Sequence, residues 1–116
     1  IAVTLKNSEA YIQEVIKRGL KIDDFAGRIS FIFSGDMEFF ETICKLRAAR
    51  RIWARMLKDK YGAKDPKTMM MRFAGGSTGG YFLTRTMPEM NIARIAISGL
   101  ASFLAGTQSA AMPSFD

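Results

Sequence analysis

The chain has 116 residues, 48% of them hydrophobic, which suits one modest domain but is far short of the roughly 250 residues of a complete (β/α)8 barrel. Its net charge of +6 favours partners that carry phosphate groups, without deciding the fold. There is no histidine, so imidazole metal sites, Ser-His-Asp triads and Cys-His pairs are excluded within this chain.

The first predicted elements are a short strand and a helix. Residues 1–5 alternate in polarity as a strand does, although so short a run decides little. Asn7 and Ser8, followed by Glu9, indicate the start of a helix whose apolar stripe continues to Leu20. Gly19 is a plausible signal for the end of this helix.

Residues 25–31 predict the next strand, which leads into a long helix. Because side chains alternate along a strand, Arg28 and Ser30 would share one face, and Phe31 would lie on the other. Apolar residues at helical spacing then predict a helix from about residue 37 to residue 61. A strand that leads into a helix indicates α/β architecture, in which ligands gather at the carboxyl ends of the strands.

The long helix carries many cations, which raises nucleic-acid binding as one alternative function. Trp53 lies in the apolar stripe of this helix, so we expect it to be packed in a core instead of stacked on bases. Charge runs on long helices are usually solvated faces. Nucleic acid is therefore not among the expected partners.

The second half of the chain predicts two more strands separated by a helix. Residues 68–73 are almost continuously apolar, as in a strand covered on both faces. The glycine-rich residues 74–80 follow, either as a loop that lets phosphates or rings approach the backbone or as a flexible turn. A helix is expected from near Met87 through Phe103 with Arg94 as its only interior charge, and residues 107–110 predict a third short strand.

Several segments in sequence order resemble the large, barrel-forming subunit of methylmalonyl-CoA mutase and related acyl-CoA mutases. They are IQEVIKRGLKIDDFA (residues 12–26), RISF (28–31), KLRAARRIWAR (45–55), YGAKDPK (61–67), NIAR (91–94), GTQS (106–109) and SFD (114–116). The resemblance implies that residues 1–116 are one interior piece of a (β/α)8 barrel, roughly its last three strands, with no cobalamin-binding domain. It also implies that residues 1–5 end a helix. We expect a fragment, a divergent remnant or one piece of a split protein.

The same resemblance implies an isomerase that rearranges acyl-CoA thioesters by radical chemistry with adenosylcobalamin, whose cobalt ligand is not in this chain. Arg28 and Ser30 match positions that contact the CoA thioester, and Lys67 and Gln108 match residues on the substrate side. Gly80 matches a glycine that lies against the corrin ring. No catalytic residue and no metal ligand are expected from this chain, and the isolated chain is expected to be inactive.

The chain departs from that family at Gly27, where proline is usual, and in two longer stretches. AGGS at residues 74–77 stands where the family carries His-x-Gln, and AAMP at residues 110–113 replaces Leu-His-Thr-Asn. Either the substrate differs and needs fewer hydrogen bonds, or catalysis has been lost. The alternative function is a non-catalytic, divergent barrel module that acts in assembly or in CoA-thioester binding.

Partners and compartment follow from the resemblance and the composition. The expected partners are an acyl-CoA thioester, the rest of the barrel, a cobalamin-binding domain or subunit, and further copies in an oligomer. No apolar run is long enough to span a membrane, and no membrane partner is expected. Cys44 has no second thiol to pair with, which favours a reducing compartment, and we predict the cytoplasm.

Overall fold

The computed structural model describes residues 1–76 and 80–115. It is a mixed α/β structure with one three-stranded parallel sheet in the order β1-β2-β3, which confirms the predicted class. Helices separate consecutive strands, as in a segment of a (β/α)8 barrel. The helices and strands of the described residues are α1 (Ala2–Lys17), α2 (Ile22–Phe25), β1 (Ser30–Ile32), α3 (Phe39–Arg55), α4 (Pro66–Met69), β2 (Arg72–Gly76), α5 (Met90–Leu104) and β3 (Ser109–Ala111).

The chain divides into two compact units. The first comprises Ile1–Ile29 and Ala48–Met71, and the second comprises Ser30–Arg47 and Arg72–Asp116. Helix α3 begins in the second unit and ends in the first, where its last turn widens into a π-helix over Met56–Lys60.

In the first unit, α1 and α3 each contribute buried side chains, and an ionic cluster links α1 to the π-helical turn that follows α3. Ile12 and Trp53 are fully buried, so Trp53 is packed as the sequence predicted. Glu9 is also buried and accepts hydrogen bonds from the ammonium groups of Lys6, at 2.6 Å, and Lys60. These hydrogen bonds, Lys6 first, lower the pKa of Glu9 to about 2.

In the second unit, one face of the sheet is covered and aromatic. Phe31 and Phe33 stack with their ring centroids 5.7 Å apart, and Phe33 meets Phe73 edge-on at the same separation. Helix α5 turns buried Ser98 and Ser102 towards the segment that follows β1. Small residues at this contact let the helix approach the backbone closely.

The start of the chain is helical, which corrects three predictions. Helix α1 begins at Ala2, so residues 1–5 neither form a strand nor end a helix. Ser8 lies inside α1 and donates its hydroxyl to the carbonyl of Thr4, so it does not start the helix. Gly19, with a φ of +95°, follows the end of α1, as predicted.

Both predicted strands around the long helix begin later than expected. Arg28 is the last residue of a 3₁₀ turn over Ala26–Arg28, which is closed by a hydrogen bond from the Ile29 N–H to the Ala26 carbonyl. Strand β1 therefore starts only at Ser30. Residues 68–69 belong to α4, because Asp65 caps a short helix that starts at Pro66. Strand β2 therefore runs from Arg72 into the glycine-rich segment.

Candidate functional site

The sheet of the second unit has one open face. In parallel pairing, residues opposite each other point to the same side, and Ser30 pairs with Arg72 while Ile32 pairs with Ala74. On β3, Ser109 pairs with Ala74, and the exposed side chains of β1 and β3 lie on this same side. We call this surface the open face, which consists of Ser30, Ile32, Arg72, Ala74, Gly76, Ser109 and Ala111.

The open face carries a groove of 230 Å3 that is polar at its amino end. Ser30 and Arg72 are the first residues of their strands, and both are exposed. Gln108 also lines the groove. A hydroxyl, a guanidinium and an amide thus meet at one edge of the sheet.

Gln108 is held in place by β2. Its side-chain Oε1 accepts the backbone N–H of Phe73 at 2.8 Å, and its own backbone N–H donates to the Phe73 carbonyl at 3.2 Å. This pairing uses the acceptor of the Gln108 amide and leaves its NH2 group for a ligand in the groove. Gln108 therefore has both a structural role and a free donor.

In the first unit, Arg28 and Lys67 lie on neighbouring elements. A Cβ on Gly27 would lie 3.6 Å from the Thr68 Cα and 3.7 Å from the Lys67 carbonyl oxygen, so the 3₁₀ turn lies against α4. Among the described residues, no carboxylate pairs with either cation. Two unpaired cations on adjacent elements suit a phosphate-bearing ligand.

Asp23 fixes this arrangement by bonding to the backbone just before α4. Its two carboxylate oxygens accept the N–H groups of Lys64 at 3.1 Å and Asp65 at 3.3 Å. The Lys64 hydrogen bond is the main cause that lowers the pKa of Asp23. Asp23 thereby connects α2, which directly precedes the 3₁₀ turn, to the segment that carries Lys67.

The predicted site residues thus fall into separate groups. Ser30 and Gln108 line one groove, whereas Arg28 is not on a strand and does not share a strand face with Ser30. Sequence reasoning missed Arg72, because it was placed near the end of a buried strand instead of at the exposed start of β2. Its position after an apolar run, next to a glycine-rich stretch, was the available signal.

Gly80 lies elsewhere in the second unit, in the wall of a 340 Å3 cavity lined also by Thr84, Arg85 and Asn91. Its φ is +60°, and a Cβ there would lie 3.0 Å from Leu83 Cδ1. The backbone angle and Leu83 therefore explain the glycine without a bound ring. Residues 77–79 of the glycine-rich segment lie outside the described residues.

Polar contacts join the segments that follow β1 and β2. Tyr81 donates its hydroxyl to Asp36 Oδ2 at 2.8 Å, and burial, together with this hydrogen bond, raises the pKa of Tyr81. Arg94 donates to the Phe82 carbonyl at 3.4 Å. These contacts stabilise the loops at the carboxyl edge, where (β/α)8 proteins place their chemistry.

The described part of the chain has neither a metal-binding cluster nor a membrane-spanning helix. No group of three His, Cys, Asp or Glu side chains is arranged to hold a metal ion. No described helix has the length and apolar character needed to cross a membrane.

The family model and the individual relatives that match this chain agree on one family. The sequence model of the family described as "Methylmalonyl-CoA mutase" matches residues 1–116. The chain is 42% identical over 116 residues to methylmalonyl-CoA mutase of Escherichia coli K12, and 39% identical over 116 residues to the mitochondrial methylmalonyl-CoA mutase of Homo sapiens. It is 38% identical over 108 residues to the large subunit of 2-hydroxyisobutanoyl-CoA mutase of Aquincola tertiaricarbonis.

The match covers all or nearly all of this chain but only a small part of each relative. The alignments cover 100%, 100% and 93% of the chain, and 16%, 15% and 19% of those three relatives in the same order. The chain therefore spans less than one fifth of the length of the relatives it matches.

Proposed function

Because the chain belongs to the methylmalonyl-CoA mutase family, we propose that it is the part of an acyl-CoA mutase that binds the CoA thioester during a carbon-skeleton isomerisation. The reaction itself belongs to the complete enzyme. The isolated chain would not turn over substrate, since it spans only a small part of its relatives.

The observation that supports this proposal is the open face of the sheet. One side of β1, β2 and β3 is covered by aromatic packing, while the other presents a groove with Ser30, Arg72 and Gln108 at its amino end. Hydroxyl and amide groups are suitable partners for the amides of a pantetheine arm. The guanidinium of Arg72 adds a positive charge at the same end.

Arg28 and Lys67 are proposed to bind the phosphates of CoA. Each lies a few residues before a strand whose first residue lines the groove, Arg28 before Ser30 and Lys67 before Arg72. Arginine holds phosphate oxygens through a planar fork, and lysine acts as a point charge.

Cobalamin dependence is a property of the family, and we propose adenosylcobalamin for the complete enzyme. When bound, it supplies the radical chemistry, and the barrel binds and shields the substrate. The chain has no histidine, so an imidazole ligand to cobalt would have to come from elsewhere in the assembly. Gly80 stays a predicted contact of the corrin ring, although its own geometry is explained without one.

The remaining barrel strands, a cobalamin-binding domain or subunit, and further copies in an oligomer are the proposed partners. The cytoplasm stays the predicted compartment, although the human relative is named as mitochondrial. The alternative is a module of the same fold that binds CoA thioesters or acts in assembly without catalysis. This alternative would be favoured if the full-length protein turned over no thioester. The small side chains at the carboxyl end of the open face would then fit a module without catalysis.

The test is the affinity of the full-length natural protein for CoA, measured by calorimetry. Arg28→Ala and Lys67→Ala should each raise the Kd for CoA about three- to tenfold, because each removes one partly solvated ion pair with phosphate. Neither change should alter the Kd of a pantetheine thioester, which lacks the nucleotide phosphates. Ser30→Ala should raise the Kd of both CoA and the pantetheine thioester, because Ser30 lines the groove.

The matched control is Lys58→Ala. Lys58 is an exposed cation in the same unit as Arg28 and Lys67, and it has no carboxylate partner among the described residues. Its removal lowers the net charge equally and should leave the Kd for CoA unchanged. Equal losses in all three charge variants would mean that only the overall charge matters, which contradicts the proposed phosphate site.

A further inference from the structure

The carboxylate of Asp23 is bonded to three groups around the start of α4. Its two oxygens accept the backbone N–H groups of Lys64 and Asp65, which lie 41 and 42 positions away in the sequence. The side chain of Thr68, the third residue of α4, adds a hydrogen bond to the same carboxylate. One exposed side chain on α2 therefore determines where the backbone before α4 lies.

The backbone positions of Arg28 and Lys67 are both connected to Asp23. Asp65 donates its N–H to Asp23, and its own carboxylate accepts the Lys67 N–H at 2.8 Å as the cap of α4. Two consecutive hydrogen bonds thus lead from Asp23 to Lys67. In the other direction, α2 ends at Phe25 and continues directly into the 3₁₀ turn that carries Arg28.

Asp23 makes this connection without neutralising either cation. Among the described residues, no ion pair joins Asp23 to Arg28 or to Lys67. A carboxylate whose two oxygens accept backbone N–H groups needs no cationic side chain as a partner. The guanidinium and the ammonium therefore keep their full charge for an anionic ligand.

We propose that Asp23 is a positioning residue for phosphate binding, which sets the spacing between Arg28 and Lys67 and does not contact the ligand itself. The inference rests on the proposed CoA-thioester function and adds a supporting residue to its phosphate site. Two cations bind an anion most tightly when both are already held in place, because ordering a segment during binding lowers the affinity.

Charge and position predict opposite effects of Asp23→Asn on the binding of CoA. The amide has nearly the same shape but only one acceptor oxygen, so the hydrogen bond to Lys64 or the one to Asp65 must be lost. Removal of a negative charge near two cations would by itself strengthen the binding of an anion. We expect the lost positioning to dominate and to raise the Kd for CoA about threefold in the full-length natural protein.

The matched control is Asp24→Asn. Asp24 is the next residue on α2, is also exposed, and accepts the Lys21 N–H at 3.1 Å, a bond that stays within α2 and its cap. The two variants therefore remove the same charge from the same helix, and each loses one acceptor oxygen. Asp24→Asn should leave the Kd for CoA unchanged or lower it slightly.

A double-variant cycle separates positioning from a general loss of structure. The spacing of the cations no longer matters once Lys67 is absent, so Asp23→Asn combined with Lys67→Ala should raise the Kd for CoA no further than Lys67→Ala alone. The Kd for a pantetheine thioester, which lacks the nucleotide phosphates, should be the same in all these variants. A purely structural effect would weaken both ligands and would add to the effect of Lys67→Ala.

The outcomes distinguish this inference from the proposed function. If Lys67→Ala weakens CoA binding while Asp23→Asn has no greater effect than Asp24→Asn, the positioning role is wrong and the phosphate site stands. The same conclusion follows if the effects of Asp23→Asn and Lys67→Ala simply add, or if the pantetheine thioester is weakened equally. If neither Arg28→Ala nor Lys67→Ala changes the Kd for CoA, the phosphate site itself is wrong, and the role of Asp23 falls with it.

Discussion

Gly35→Ala tests how closely α5 packs against the segment after β1. A Cβ at position 35 would lie 2.3 Å from Ser102 Oγ and 3.3 Å from Ser98 Oγ, and the first distance is shorter than any ordinary contact. The backbone cannot easily retreat, because the Gly35 N–H donates to the Gly76 carbonyl at 2.7 Å. Overpacking of this kind costs about 1–3 kcal/mol of unfolding free energy.

Ser102→Ala should rescue much of that loss. The Ser102 hydroxyl is fully buried and has no hydrogen-bond partner among the described residues, so its removal alone should be neutral or stabilising within about 1 kcal/mol. In the double variant the clash with Oγ is gone, and the Ser98 hydroxyl remains as a mild contact. We expect a favourable coupling of about 1–2 kcal/mol between the two changes.

The assay is urea unfolding of the full-length natural protein and its variants, which gives the unfolding free energy of each. Gly27→Ala is the matched control, since a Cβ there would meet its neighbours at 3.6 Å or more, an ordinary contact distance. It should change the unfolding free energy by less than about 0.5 kcal/mol. The packing argument is refuted if Gly35→Ala is as mild as Gly27→Ala, or if Ser102→Ala brings no rescue.

Three further predictions concern polar side chains with defined hydrogen-bond partners. Because hydrogen bonds from Lys6 and Lys60 lower the pKa of Glu9 from 4.5 to about 2, its carboxylate stabilises the fold above pH 4.5, and this contribution disappears as the pH falls towards 2. Glu9→Gln should therefore lower the urea midpoint at pH 7, and its difference from the wild type should shrink over that interval. Asn91 is buried and bonds to three backbone groups, so Asn91→Leu should cost about 1–3 kcal/mol in thermal unfolding for the groups it leaves unpaired. Gln108→Glu keeps the oxygen that accepts the Phe73 N–H but loses the free NH2 group, so calorimetry should show weaker CoA-thioester binding at nearly unchanged stability. A large loss of stability would instead mean that the NH2 group also stabilises the fold.

Hydrophobic periodicity and turn residues were sufficient to predict the α/β class and the long helix. Trp53 was correctly placed in a core from its spacing in the apolar stripe. Gly19 and Gly62 both have positive φ angles at the ends of helical segments, where the sequence predicted helix ends. These features are determined locally, by side-chain periodicity and by backbone angles that glycine tolerates.

The starts of β1 and β2 could not be predicted in the same way. Arg28 and Ser30 are two residues apart, as are residues on one face of a strand, but Arg28 ends a 3₁₀ turn that packs on α4. This packing joins residues some forty positions apart in the sequence, which local patterns do not report. Methionines 69–71 have no clear periodicity, and the cap supplied by Asp65 decides that the first of them is helical. The site residue Arg72 was missed because a shift of a few residues in the start of a strand changes which side chains lie on its exposed face.

Strands β1 and β3 each have only one pairing partner, β2, among the described residues. Their outer backbone N–H and C=O groups can therefore hydrogen-bond to another strand, whichever protein that strand belongs to. In a closed barrel these groups would hydrogen-bond to the neighbouring strands. In a preparation of the segment alone they would favour edge-to-edge association between copies, so poor solubility and barrel closure would have the same physical cause.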